Sequence, residues 1–306
     1  MDYQNFIDEK IHQLRVLSQT QWDYLKFSDL QDWLDDNFGN DVEGKYYAIK
    51  ILLHTIYYKK KDIERLIEFG LHDKIYGEII KQQLILSENI FVPFSETQAK
   101  VRKLKDSTFF IPLLDSEKPY ESGNLIIGDL VHKIGIKTDQ VDFPQKVNEE
   151  TLKNYKILVF VDDCVGSGSQ LKKFWKSDSI LKIRSFCEKY SIKMYYLVLI
   201  GYLNNLIQLK AKGDVEGLEI VVCDLLTDKN RIFSDDNIIW DRKNNERDLA
   251  RAYFERIRRE RGVSFLGYKK LDFAVILHDR VPNWSLPIFW KNTSGWKHLL
   301  QRKTTY

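Results

Sequence analysis

The sequence predicts an α/β protein: a mostly parallel sheet flanked by helices, with an N-terminal helical region. Three observations carry that prediction. Apolar residues recur at helical spacing through roughly the first hundred positions. From Thr108 onward, short apolar runs of strand length alternate with amphipathic helical patterns, and such alternation builds parallel sheets. The best-defined run, Ile157 to Val161, passes directly into two acidic residues, a glycine and serine turn and a helical pattern.

In chain order, the helical region rests on Tyr46, Ile49, Leu52, Leu53 and Ile56, then on Ile63, Leu66, Ile67 and Leu71. Their spacing of three and four is that of one helix face. Between the two sets lies KKKD, Lys59 to Asp62, where Asp62 can cap the second helix, so the pair also reads as a helix-turn-helix. An all-helical cap on the following domain explains the same residues without a groove-facing basic surface. The domain boundary is placed at residue 100, with residues 1–100 as the helical region and 101–306 as the α/β domain.

TFFIPLL, from Thr108, is a compact β-favouring run followed by the polar loop DSEKPYESG. Asn124 to Ile136 then reads as a helix, and residues 137–155 as a long polar connection. Beyond the acidic turn, the pattern gives one helix over 171–190, a buried strand in MYYLVLIGYL and another in GLEIVVCDLL. Residues 244–261 form a charged helix whose Arg251, Arg256, Arg258, Arg259 and Arg261 read as a solvated face.

Lys plus Arg number 47 against 44 Asp plus Glu, so a net charge of +3 does not announce a nucleic-acid partner. Cys164, Cys187 and Cys223 lack metal-site spacing and are expected as reduced thiols, with neither a disulfide nor a zinc site. The polar N-terminus and the lack of any eighteen-residue apolar window predict a cytoplasmic protein without a membrane segment. His12, His54, His72, His132, His278 and His298 show no ligand pair at i and i+4 and are read as structural.

The chemistry concentrates in ILVFVDDCVGSGS, residues 157–169. Asp162 and Asp163 stand where the strand is expected to leave the sheet. Gly166, Ser167, Gly168 and Ser169 can turn backbone N–H groups toward an anion at a helix start near Gln170. A nucleoside-triphosphate loop needs lysine after its last glycine, whereas Ser169 and Gln170 follow here. A dinucleotide fingerprint has no acidic pair among its glycines. Carboxylates for hydroxyls beside N–H groups for a phosphate fit a sugar phosphate. Cys164 sits against the strand and is read as packing.

This run resembles the phosphoribosyl pyrophosphate motif of type I phosphoribosyltransferases: apolar strand, two acids, then a hydroxyl and glycine loop. The resemblance implies that Asp162 and Asp163 are the catalytic pair holding the ribose hydroxyls, and that Gly166 to Ser169 hold the 5-phosphate. It further implies a pyrophosphate loop with Lys118, Ser122 and Gly123, and magnesium bound through the ligand with Asp162 and Asp163 nearby. The implied reaction displaces pyrophosphate at the anomeric carbon. Where the motif usually carries threonines, this chain has Gly166 and Ser169.

A wider likeness, over about residues 40–295, is to the bacterial phosphoribosyltransferase-like proteins of conflict and anti-phage loci, some beside retron reverse transcriptases. It rests on FFIPLL with a loop ending in SG, on FVDDCVGSGSQ with Trp175, and on LGYKKLDFAVILHDRVPNWSLPIFW. It implies a phosphoribosyl pyrophosphate or nucleotide ligand and a reverse transcriptase or nucleic acid as partner. Asn283 and Trp284 are candidates for a hood over an acceptor base, with Trp284 standing where related sequences carry a second asparagine. A catalytically silent, nucleotide-sensing subunit is the alternative reading. Neither the acceptor nor the oligomeric state follows from the sequence.

Overall fold

The computed structural model describes residues 2–88, 91–113 and 122–301. In chain order it contains α1 (Tyr3–Thr20), α2 (Phe27–Phe38), α3 (Val42–Leu53), β1 (Ile56–Tyr58), α4 (Lys60–Phe69), a π-helical stretch Gly70–Gly77, α5 (Glu78–Leu86) and α6 (Phe94–Asp106). Then follow β2 (Thr108–Pro112), α7 (Ser122–His132), α8 (Glu149–Leu152), β3 (Ile157–Val165), α9 (Ser169–Trp175), α10 (Asp178–Lys189), β4 (Lys193–Tyr202) and α11 (Leu203–Ala211). β5 (Glu219–Leu226), α12 (Glu246–Arg261) and β6 (Val275–Leu277) complete the order.

The fold class is the expected one. β2, β3 and β4 run parallel, with Phe110 opposite Val159 and Val159 opposite Tyr195, and β5 lies beside β4. Helices connect the strands, as parallel pairing requires. The chain divides into two compact units, one made of Met1–Ile63 with Leu226–Tyr306 and the other of Glu64–Leu225. That spatial division does not follow the boundary drawn at residue 100.

In the unit of residues 64–225, Leu158 and Phe160 on β3 pack with Tyr196 and Val198 on β4 against Leu171, Phe174, Trp175 and Ile180 from α9 and α10. Both rings of the α9 pair meet Phe160 edge-on, at 5.5 Å for Phe174 and 5.7 Å for Trp175. Burying each such side chain contributes about 1.5–3 kcal/mol relative to exposure. This packing fixes the end of β3.

In the other unit, α1 to α3, α12 and the C-terminal segment enclose an aromatic core in which Trp33, Phe38 and Trp296 meet edge to face. β1 pairs in parallel with β6, Ile56 opposite Val275.

Several local expectations change. The acids do not follow β3 but lie within it, because β3 runs on to Val165. The single helix expected over 171–190 is two, since Ser177 takes extended backbone between α9 and α10 and begins a new helix at Asp178. The polar connection holds α8 and a short helical turn at Thr138–Gln140. The helix-turn-helix reading of KKKD fails: Ile56 belongs to β1 rather than to a helix face, so a strand lies between α3 and α4. Asp62 does act at the start of α4, accepting from the Lys59 backbone N–H at 3.1 Å. Among the described residues, no helix is long and apolar enough to cross a membrane.

Candidate functional site

β3 delivers the acidic pair to the C-terminal edge of the parallel strands, the edge where open α/β sheets bind ligands. Asp162 and Asp163 are 3% and 6% exposed. In a strand, successive side chains point to opposite faces, so the two carboxylates do not emerge side by side. Asp162 shares the face of Leu158 and Phe160. There the Tyr196 hydroxyl donates to its Oδ2 at 3.1 Å, while its Oδ1 accepts the Asp163 backbone N–H at 2.9 Å. Asp163 falls on the other face.

Tyr196 is fully buried. Burial first, then the adjacent Asp162 carboxylate, push its ionisation well above the ordinary tyrosine range, so it remains a neutral donor. Asp162 thus has a hydrogen-bonded seat, without which a buried carboxylate would be costly.

The turn after β3 is held from three sides. The Asn205 side-chain amide, at the start of α11, donates to the Gly166 carbonyl at 2.9 Å. Ser167 Oγ accepts from the Ser169 backbone N–H at 3.3 Å and donates to Ser169 Oγ at 3.2 Å. Gly168 adopts φ +70°, the left-handed region that a side chain disfavours. A Cβ there would also run into Leu209 Cδ1 and stand 3.1 Å from its Cγ. Glycine is therefore favoured twice over. α9 starts at Ser169 rather than Gln170 and is only seven residues long. The turn's own N–H groups, more than a helix dipole, are what an anion would meet.

Of the second junction, Lys118 lies outside the described residues. Ser122 opens α7, and Gly123 follows it against the end of β2, where a Cβ would stand 2.9 Å from the Leu113 carbonyl oxygen. Leu113 in turn donates its backbone N–H to Val161 at 2.9 Å. β2 and β3 are therefore adjacent where both junctions begin. Asn283 and Trp284 belong to the other compact unit. Asn283 is exposed, whereas Trp284 is 4% exposed and meets Phe273 edge-on at 5.4 Å.

Sequence reasoning missed Tyr196, Asn205 and Leu209. The signal for Tyr196 was a tyrosine within the apolar run of β4, though Tyr195 and Tyr202 in the same strand share it, and for Asn205 an amide just after β4. The thiols of Cys187 and Cys223 are each pushed up to about 12 by burial, which makes them packing groups rather than nucleophiles.

A family model described as PRTase-CE matches residues 30–302. No curated protein matches the chain. Among solved structures, an orotate phosphoribosyltransferase from Aeropyrum pernix is similar at 18% identity and a TM-score of 0.26. The likeness covers 40% of this chain and 62% of that one, which is under two thirds of its length. At that TM-score it carries no argument here.

Proposed function

The chain belongs to the PRTase-CE family, and on that premise we propose that it binds magnesium phosphoribosyl pyrophosphate, or a related nucleotide sugar-phosphate, at the turn between β3 and α9. Bound there, the ligand would lose pyrophosphate at the anomeric carbon. The observation that carries the reading is the brace around the turn: a buried, seated Asp162, Asp163 next to it in the chain, and a left-handed Gly168 whose conformation disfavours a side chain.

In this reading the turn from Gly166 to Ser169 grips the 5-phosphate, the Ser169 N–H exchanging Ser167 Oγ for a phosphate oxygen, and Asp163 accepts from the ribose hydroxyls. Asp162 orients Asp163 through the bond to its N–H. The anomeric C–O bond breaks as a nucleophile's lone pair forms the new bond, and pyrophosphate leaves with the electron pair. Lys118, Ser122 and Gly123 are assigned to that leaving group, where positive charge and N–H donors stabilise what develops.

Among the described residues, no three His, Cys, Asp or Glu side chains group to hold a metal. One carboxylate of the two, facing the ligand, would suit an ion that arrives on the ligand's oxygens and keeps its waters. Magnesium bound there would supply positive charge toward the departing pyrophosphate. In the cell, the resemblance supports an anti-phage effector with a reverse transcriptase or nucleic acid as partner.

A second reading, a nucleotide-sensing module without turnover, is favoured by the deep burial of both acids. Pyrophosphate release separates the two. With magnesium, phosphoribosyl pyrophosphate and a panel of bases, nucleotides and RNA, the enzyme reading expects acceptor-dependent pyrophosphate. Calorimetric binding with no release from any acceptor identifies the module.

A further inference from the structure

Four of the large apolar side chains that the chain exposes fall within ten residues, from the end of α5 to the start of α6. Ile85 is 67% exposed, Leu86 85%, Phe91 91% and Phe94 75%. A soluble surface rarely gathers such residues without a partner for them. The same two helices line an open groove of about 920 Å³, with Ile80, Leu84 and Ile85 on α5 and Thr97 and Val101 on α6 among its lining residues. α6 has no buried residue at all. Yet Phe94, Thr97, Val101 and Leu104 repeat at intervals of three, four and three, the seam spacing of helices that pack on other helices.

The groove-lining wall is acidic, with Asp73, Glu78 and Glu88 against a single Lys81. α6 is basic, and among the described residues its exposed Arg102 and Lys103 make no ion pair. The two helices therefore carry a hollow and the apolar knobs to fill it, an acidic wall and a basic helix. A two-fold axis satisfies all four at once, because the same patch meets itself in a closed dimer.

We propose that the α5 and α6 face is a self-association surface, whose occupant is the same face of a second copy of this chain. Leu86, Phe91 and Phe94 of each copy enter the groove of the other, and the acidic wall of one faces α6 of the other. A four-helix arrangement results, with both seams covered.

Sedimentation equilibrium of the full chain over a concentration series tests this. The expected mass is twice 36.3 kDa. Phe91→Ser with Phe94→Ser, at exposed positions outside the core, should give the mass of one chain while far-UV dichroism keeps the helix and strand signal. Glu78→Lys should weaken association at least tenfold, and adding Arg102→Glu should restore it. A wild-type chain of single mass at every concentration overturns the proposal, as does a Phe91→Ser, Phe94→Ser chain that keeps the double mass. Tight binding of an apolar dye by a monomeric wild-type chain also overturns it, assigning the groove to a small ligand.

Discussion

Replacing Glu246 by alanine is expected to lower the stability of the unit built from residues 1–63 and 226–306 by about 3–5 kcal/mol, the usual cost of breaking a buried ion pair from one side. Glu246 is 3% exposed and is the common acceptor of a three-donor cluster. Lys50 Nζ approaches its Oε2 at 2.7 Å, the Asp241 backbone N–H donates to the same oxygen at 2.6 Å, and the Tyr46 hydroxyl donates to Oε1. Burial, followed by this carboxylate, raises Tyr46 far above the ordinary tyrosine range, so it stays protonated as a donor. Without Glu246, Lys50 keeps the Tyr46 hydroxyl at 3.2 Å and the ring faces of Tyr46, Trp240 and Phe6, at 5.2, 5.5 and 6.0 Å. Those cation–π contacts are each worth about 0.5–2 kcal/mol and do not replace a carboxylate. Denaturant unfolding followed by near-UV dichroism measures the loss. Glu246→Gln, which keeps an acceptor oxygen and the side-chain shape, should lose about 1–3 kcal/mol.

Gly168→Val is expected to disable the turn. Its φ of +70° costs a β-branched residue about 1–3 kcal/mol in strain, and the added carbons collide with Leu209, itself 6% exposed in the core. Relief requires the turn to move, which redirects the N–H groups of Gly168 and Ser169. A displacement near 1 Å at a reacting centre costs on the order of 100-fold in rate, and a comparable loss of grip on the phosphate is expected here. The variant should therefore bind phosphoribosyl pyrophosphate about 100-fold more weakly by calorimetry, while far-UV dichroism retains the helix and strand signal. Gly168→Ala meets the same backbone conformation with less bulk and should fall between.

The sequence made β3 and its turn legible because their signals are local: an unbroken apolar run, adjacent acids and a glycine placed where a helix begins. The side-chain directions of the acids were not legible. They depend on the strand continuing to Val165, and on Tyr196, supplied by β4 at a distance of 34 residues. β1 was hidden for a similar reason, since three residues carry no period and its partner β6 lies more than two hundred positions away. The break at Ser177 did have a local signal, a serine followed by an acid, but the apolar spacing across it resembles that of one helix. Trp284 shows the limit of reading aromatics near a turn. Its neighbours suggested a stacking face, while its ring is buried against Phe273 within its own unit.

The central claim is that the end of β3 and the turn after it form a sugar-phosphate site, and calorimetric titration with magnesium phosphoribosyl pyrophosphate tests it most directly. The wild-type chain is compared with the double variant Asp162→Asn, Asp163→Asn. Asparagine keeps the shape of both side chains and can still accept from the Asp163 backbone N–H, so the melting temperature should stay near wild type. The account predicts saturable binding to the wild-type chain and none to the double variant. Equal binding by the two, or no binding by a folded wild-type chain, would contradict it.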